Sequence, residues 1–372
     1  MKFILLFLFA LLLSGMPVLA KKHILYVGTY TKGKADGIFV YSFNIHSGKL
    51  TDLKTPAVAN NPSFLTISEN KRYLYAVSEI SDPEADGGWV CSFRIEKEGK
   101  LTPINQVATH GADPCHVTLS PDNKKLVACN YSGGSISLFN VLPDGSLSDL
   151  VQKVQHVGSG PFPVRQTEPH AHSSRFDEKG KLLYVADLGI DEVKMYSVTS
   201  GDNPLLPDPQ PPINLVKGSG PRHLEFSADG NFIYVINELN STITVLIKYG
   251  GIWKEIQSIK TLPKGFTGEN WCADIHLSQD GRFVYGSNRG HNSISVFKRN
   301  KISGKLEMIQ TISVEGNWPR NFIIDPTGRF VLVANERSND ITVFKIDDTS
   351  GKLTYTGIKV QNQSPVCLQF LN

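Results

Sequence analysis

The sequence predicts an all-β chain closed into a ring of seven blades, each built from four antiparallel strands. Three observations predict it. An eighteen-residue phrase (a short strand, a tight turn, an apolar strand) recurs along the chain. A second phrase follows most copies and leads to a Gly-Lys-Leu or Gly-Ser-Leu step. The strand missing from the first unit stands alone at the C-terminus. Self-similarity at this period marks a repeat architecture before any local propensity is weighed.

The phrase is clearest at residues 221–238, PRHLEFSADGNFIYVINE. Copies stand at 62–79 (PSFLTISENKRYLYAVSE), 114–131, 272–289 and 319–336, with a looser one at 171–188. Apolar and polar residues alternate on both sides of an Asn-, Asp- or Gly-bearing turn, the pattern of half-buried strands joined tightly. The copies begin at Pro62, Pro114, Ala171, Pro221, Cys272 and Pro319. A third strand follows at 135–141 (SISLFNV), 242–248 (TITVLIK), 293–298 and 340–346. A fourth opens at Gly99, Gly145, Gly304 and Gly351. Residues 24–30 (ILYVGTY) match the second strand with no first strand before them, and residues 365–371 (PVCLQFL) match a first strand with nothing after it. Pairing the two closes a seven-bladed β-propeller and removes the exposed sheet edges. No Trp-Asp dipeptide occurs, so the WD40 class is not supported. The Pro-rich residues 202–212 read as a surface loop inside the fourth unit, and the Pro- and Gly-rich residues 158–169 lengthen the step before it.

The chain opens with Lys2, an apolar run over 3–13 and small residues at Val18-Leu19-Ala20. This predicts a cleaved signal peptide over residues 1–20 and a propeller domain over 21–372. The run is short for a membrane span, so a periplasmic or secreted protein without stable membrane association is expected. Lys and Arg number 38 against 35 Asp and Glu, a formal charge of +3, with no basic run; nucleic acid is not an expected partner. The five cysteines, Cys91, Cys115, Cys129, Cys272 and Cys367, fit no zinc spacing and read as small buried residues, with any disulfide pairing left open.

A propeller turns the repeat into a site map. The first strand of each blade lines the central channel, and its start lies beside the end of the antiparallel second strand. Second positions of the first strands carry Ser63, Cys115, His172, Arg222, Ala273, Arg320 and Val366. Third positions carry Phe64, His116, Ser173, His223, Asp274, Asn321 and Cys367, and second-strand ends carry Tyr30, Glu79, Tyr131, Leu188, Glu238, Arg289 and Glu336. Framework positions converge between repeats, whereas these columns vary and hold cations beside carboxylates, which suits a small anionic ligand. The competing readings are structural: an Arg222–Glu238 ion pair, a solvated Arg289, and core histidines at His116 and His223. His170 and His172, two apart with no further ligand nearby, do not make a metal site. No G-x-S-x-G, H-E-x-x-H or phosphate-binding glycine loop is present. No metal or cofactor is expected.

The residues resemble one family. Pro221-Arg222-His223 with Asn237-Glu238-Leu239-Asn240-Ser241, Ala273-Asp274-Ile275-His276 with Asp280-Gly281, and Ser287-Asn288-Arg289 are similar to the motifs of the seven-bladed lactonases. That family holds the propeller-type 6-phosphogluconolactonases and the fungal carboxymuconate lactonising enzyme, and the similarity runs over residues 24–371. The resemblance implies metal-independent hydrolysis of a sugar lactone, typically 6-phosphogluconolactone. It assigns catalytic roles to His172 (with His170 a close second), Arg222, Glu238 and Arg289. His116, His170, His223, Asp274, Arg320 and Glu336 are the expected substrate-binding residues. Either Glu238 or His172 serves as base, and either Arg222 or Arg289 holds the oxyanion. The predicted export departs from the cytosolic members and leaves a related aldonolactone open as substrate. Two rivals stand beside this reading: a noncatalytic exported propeller that binds glycan or protein, and a lyase or isomerase acting on a dicarboxylate.

Overall fold

The computed structural model describes residues 22–31, 36–83, 86–201 and 203–371; the expected signal peptide lies outside them. Seven antiparallel sheets follow one another around a ring. Pro365–Leu371 is the innermost strand of the first blade and pairs with Lys22–Thr29, Ile24 opposite Leu371 and Gly28 opposite Cys367. Asp36–Asn44 and Leu50–Asp52 complete that blade. The expected closure by the C-terminal strand is therefore what forms. Among the described residues no helix is long and apolar enough to cross a membrane.

The inner strands of blades two to seven are Leu65–Ile67, Pro114–Leu119, Ala171–Phe176, Pro221–Phe226, Trp271–Leu277 and Pro319–Ile324. Each is followed by its second strand, which is buried along most of its length because neighbouring blades cover both faces. The core is a series of clusters between adjacent blades. One of them joins Phe43 and Phe370 of the first blade to Phe330 and Leu332 of the seventh, so the seam is packed as the other joints are.

The Gly-Lys-Leu step has a physical cause. Gly145, Gly304 and Gly351 all take positive φ (87°, 72° and 71°), a region that favours glycine. A Cβ there would also strike an aromatic ring of the preceding blade: Tyr73, Phe232 and Phe283, respectively, at 2.2–2.4 Å. The carbonyls of these glycines accept hydrogen bonds from Tyr75, Tyr234 and Tyr285. One glycine thus turns the chain and seats one blade on the next.

One expectation fails. Within residues 202–212, Leu205–Pro207 is the outer strand of the fourth blade, paired with Tyr196–Val198. Leu205 is buried in the core between blades three and four, and Pro207 is tolerated because an outermost strand needs no donor on its free side. The five cysteines are all buried and free.

Candidate active site

Two devices recur where the channel opens. The first is a bulge. In the fourth, fifth and seventh blades the inner-strand register slips after the first residue: Ala171 faces Asp187 and Ser173 faces Ala186; Pro221 faces Asn237 and His223 faces Ile236; Pro319 faces Asn335 and Asn321 faces Ala334. The extra residues are His172, Arg222 and Arg320. Cys115 is skipped in the same way in the third blade. A bulge frees one residue from the ladder and re-aims its side chain.

The second device, in the third, fifth, sixth and seventh blades, is an asparagine one residue before the second-strand end. Nδ2 of Asn237 donates to Thr242 and Thr244 Oγ1 (2.8 and 2.9 Å), and Nδ2 of Asn288 donates to Ser293 and Ser295 Oγ (both 3.1 Å). Asn130 and Asn335 do the same with their own third strands. These bonds pin the backbone just before Tyr131, Glu238, Arg289 and Glu336.

The result is a cavity of about 450 Å³ lined by residues that include His172, Glu238, Arg289, Arg320, Glu79 and Tyr30. Glu238 is its most heavily bonded group. Its Oε1 lies 2.5 Å from Arg165 Nη2, and its Oε2 lies 2.5 Å from Arg289 Nη2 and 3.1 Å from Arg222 Nε. The Arg222 contact is a charge contact without hydrogen-bond alignment. Burial pushes the Glu238 carboxyl up, but Arg289, Arg222 and Arg165 outweigh it and bring it to about 2. Opposite stands a looser pole. Tyr30 Oη donates to Glu79 Oε1 at 2.8 Å, Arg320 Nη2 lies 3.7 Å from the same oxygen, and the Arg320 guanidinium sits 5.2 Å over the Tyr30 ring. Glu79 Oε2 is buried with no hydrogen-bond partner among the described residues.

His172 lines the cavity between these poles. Burial, then the charges of Arg222 and His223, hold its imidazole well below the ordinary range, so it is neutral at pH 7. Its Nδ1 lies 3.7 Å from Cys115 Sγ. Arg222 is buried and does not line the cavity. Burial and the neighbouring Arg289 and Arg320 lower it to about 10, which leaves it charged at neutral pH.

The structure therefore brings His172, Glu238, Arg289 and Arg320 to one mouth, with Arg222 directly behind Glu238. It does not bring the other expected binding residues there. His170 stacks on Tyr131 (ring centroids 4.4 Å apart), and its Nδ1 lies 3.0 Å from the Tyr131 carbonyl, so it supports the wall from behind. Glu336 acts on Tyr30 and Arg320 through its charge without lining the cavity. His116, His223 and Asp274 line a different cavity, further along the inner strands. The bulge is the reason: it turns the second position to the mouth, and the third position resumes the ladder down the channel.

Other mouth residues were outside the expected set. Arg165 comes from the Pro- and Gly-rich segment before the fourth blade, bonds Tyr131 Oη at 3.1 Å and lies over Trp271 (5.0 Å). Trp318 carries Arg337 over its ring at 3.2 Å and Arg289 at 5.6 Å. Val164 (φ 71°) and Trp318 (φ 67°) are bulky residues in the left-handed region, a strain that clusters at functional sites. Unusual length in the segment before Ala171 was the one sequence signal pointing to Arg165. Four arginines (Arg165, Arg289, Arg320 and Arg337) and two carboxylates (Glu79 and Glu238) line the cavity, so the mouth is cationic.

Known proteins resemble this chain over most of its length. The family model for the seven-bladed β-propeller lactonases matches residues 24–370. A 6-phosphogluconolactonase of Bacillus subtilis is 36% identical over 301 residues, which cover 80% of this chain and 83% of that protein. One from Formosa agariphila is 36% identical over 290 residues, covering 77% and 81%. The solved structure of the periplasmic gluconolactonase of Pseudomonas aeruginosa superposes with a TM-score of 0.89 at 36% identity, covering 94% of this chain and 99% of that one. The chain belongs to the seven-bladed β-propeller lactonase family and is a lactonase.

Proposed function

We propose that this lactonase hydrolyses an aldonolactone carrying an anionic group, 6-phosphogluconolactone or a close relative, at the Glu238 mouth. The observation that carries this reading is the cation-rich wall around a neutral imidazole. Water adds to the lactone carbonyl, the carbonyl becomes an oxyanion, and the ring C–O bond then breaks to give the open-chain acid. His172 takes the proton from the attacking water and returns it to the departing ring oxygen. Glu238, already satisfied by three guanidinium groups and ionised down to about 2, is a poor base. Its part is to fix Arg165 and Arg289. Arg289 lines the cavity and Arg222 does not, so Arg289 holds the oxyanion. Arg320 and Arg337 remain to meet the phosphate or hydroxyl groups.

The test is a pH-stat assay with 6-phosphogluconolactone and δ-gluconolactone. The enzyme should accelerate opening above the spontaneous rate, with preference for the phosphorylated substrate. His172→Asn should lose roughly 10²–10⁴-fold in kcat, the usual worth of a placed general base, with an unchanged melting transition. Failure to accelerate any lactone, or wild-type turnover by His172→Asn, overturns the reading.

Export is part of the same proposal. It rests on the opening residues Lys2 to Ala20, and the periplasmic description of the Pseudomonas relative supports it. Intact-mass measurement of the extracytoplasmic protein should give a chain starting near Lys21; one retaining Met1 counts against cleavage.

A further inference from the structure

The channel holds a second cavity, of about 840 Å³, along the C-terminal parts of the inner strands. That volume lies within the range of small-molecule sites, about 300–1,000 Å³. Two of its lining residues, Ser173 and Ser174, are almost fully buried, while Thr66 and Thr118 on the same wall are only half-buried. The two threonines supply hydroxyl groups on the half-buried part of that wall. On the neighbouring blade His116 is also buried, with its Nδ1 accepting the Ser174 N–H at 3.4 Å and its ring 4.1 Å from that of Phe64.

The charges in this cavity cancel within the protein. Asp274 Oδ1 lies 2.7 Å from His223 Nδ1, and its Oδ2 lies 3.1 Å from His276 Nε2. Glu225 Oε1 lies 2.7 Å from Arg175 Nη1 and 3.5 Å from His276 Nδ1. Burial opposes charge on His276, but Asp274 and Glu225 carry it up to about 10, so it is a cation. Burial and Arg222 bring His223 down to about 4, so it is neutral, as is His116. Two cations thus meet two carboxylates, while Asp177 and Glu178 at the rim repel anions. What remains on offer is hydroxyl groups, neutral imidazoles and carboxylate oxygens beside apolar Phe64 and Leu119. An anion gains nothing there. A neutral molecule with many hydroxyls and apolar C–H faces can meet every group.

We propose that this cavity is a second binding site, separate from the lactonase mouth, for a neutral polyhydroxylated molecule of at least one sugar ring. Arg222 stands between the sites: its Nη1 donates to Ala273 O, lies 3.2 Å from His223 Nε2, and its Nε faces Glu238. The proposal does not depend on the lactone chosen at the mouth.

The probe is D-glucose, observed by saturation-transfer NMR with the full mature chain. Wild type should transfer saturation to the sugar. Thr118→Phe, which fills the cavity from a half-buried lining position, should reduce transfer to background while lactone turnover stays at the wild-type level. Arg289→Ala, at the mouth, should keep the glucose signal. Should Thr118→Phe not fold by near-ultraviolet circular dichroism, Thr66→Phe on the adjacent blade tests the same point. Absence of transfer from wild type means a water-filled channel and overturns the proposal. So does any other pattern, including loss in Arg289→Ala with retention in the filled variant, which would put the sugar at the mouth.

Discussion

Glu238 and Glu79 hold the same place in the repeat, the end of a second strand, and the structure treats them differently. Glu238 belongs to a pole made by blades five and six and the segment before blade four, and both its oxygens are taken by arginines. Glu79 belongs to a pole across the ring seam, with Tyr30 from blade one and Arg320 from blade seven, and one of its oxygens has no partner. The same backbone address can therefore hold a locked hub or an open acceptor. What decides between them is the number of cations that neighbouring blades aim at it. The hub fixes the arginines of one wall. The seam pole can be no better ordered than the closure that brings its blades together.

The largest effect should come from breaking that closure. Deleting residues 365–372 removes the inner strand of blade one and its contacts with Phe43 and Phe330 across the seam. The truncated chain should lose its cooperative melting transition. In whatever folded fraction remains, hydrogen exchange should be faster at Tyr30 and Glu79 than at Asn237 and Glu238. An unchanged transition refutes closure by this strand.

Glu238→Gln comes next. It leaves three guanidinium groups close together without their carboxylate, and breaking a buried pair in this way costs about 3–5 kcal/mol. Glu79→Gln loses only a 3.7 Å contact with a partly exposed arginine and keeps an acceptor for Tyr30. It should cost about 0–1 kcal/mol, as a weak ion pair does. Urea unfolding of the two variants reads the difference directly, and equal losses would erase the distinction between the poles.

Arg289→Ala separates the chemical role of the hub from its structural one. Removing an oxyanion donor lowers kcat by roughly 10²–10³-fold. Arg222→Ala, behind the wall, should instead lower stability and leave turnover per folded molecule nearly intact. Were the two variants to exchange these phenotypes, the oxyanion would belong to Arg222.

Much of this was legible in the sequence because a propeller repeats its framework. The glycine of the Gly-Lys-Leu or Gly-Ser-Leu step recurs at four places, and the asparagine before the second-strand end recurs in four blades, where the same turn and the same pin are needed. Varying residues between them, such as His172, Glu238, Arg289 and Arg320, stood out by contrast and do meet at one mouth. His116, His223 and Asp274 were assigned to that mouth because a bulge leaves no mark in the sequence, and a one-residue slip changes where every later side chain points. Arg165 was passed over because it lies between repeats, where no column exists to compare it with. Leu205–Pro207 was read as loop because its prolines outweighed the single buried leucine that makes it a strand.

The smallest expected effect is on pH dependence, and it isolates the hub. The Glu238 carboxyl has an ordinary value near 4.5 and falls to about 2 in the fold, because Arg289, Arg222 and Arg165 outweigh burial. A carboxyl depressed by folding adds stability that is complete above its unfolded value and is lost as pH falls towards the folded one. The window is therefore about pH 4.5 down to about 2. His223 acts earlier on the acid side: its value drops from 6.5 to about 4, so the neutral ring favours the fold above 6.5 and that gain is lost as pH falls to about 4. His276 works in the opposite direction. Raised from 6.5 to about 10, it contributes fully below 6.5 and loses its contribution as pH rises through about 10. Urea midpoints measured across the pH range should thus fall on both sides of neutrality. In Glu238→Gln the segment between pH 4.5 and 2 should flatten relative to wild type, while the His223 and His276 limbs remain. Parallel curves for the two proteins across that acid segment would show that the three arginines do not hold Glu238 ionised, and the hub would be no tighter than the seam pole.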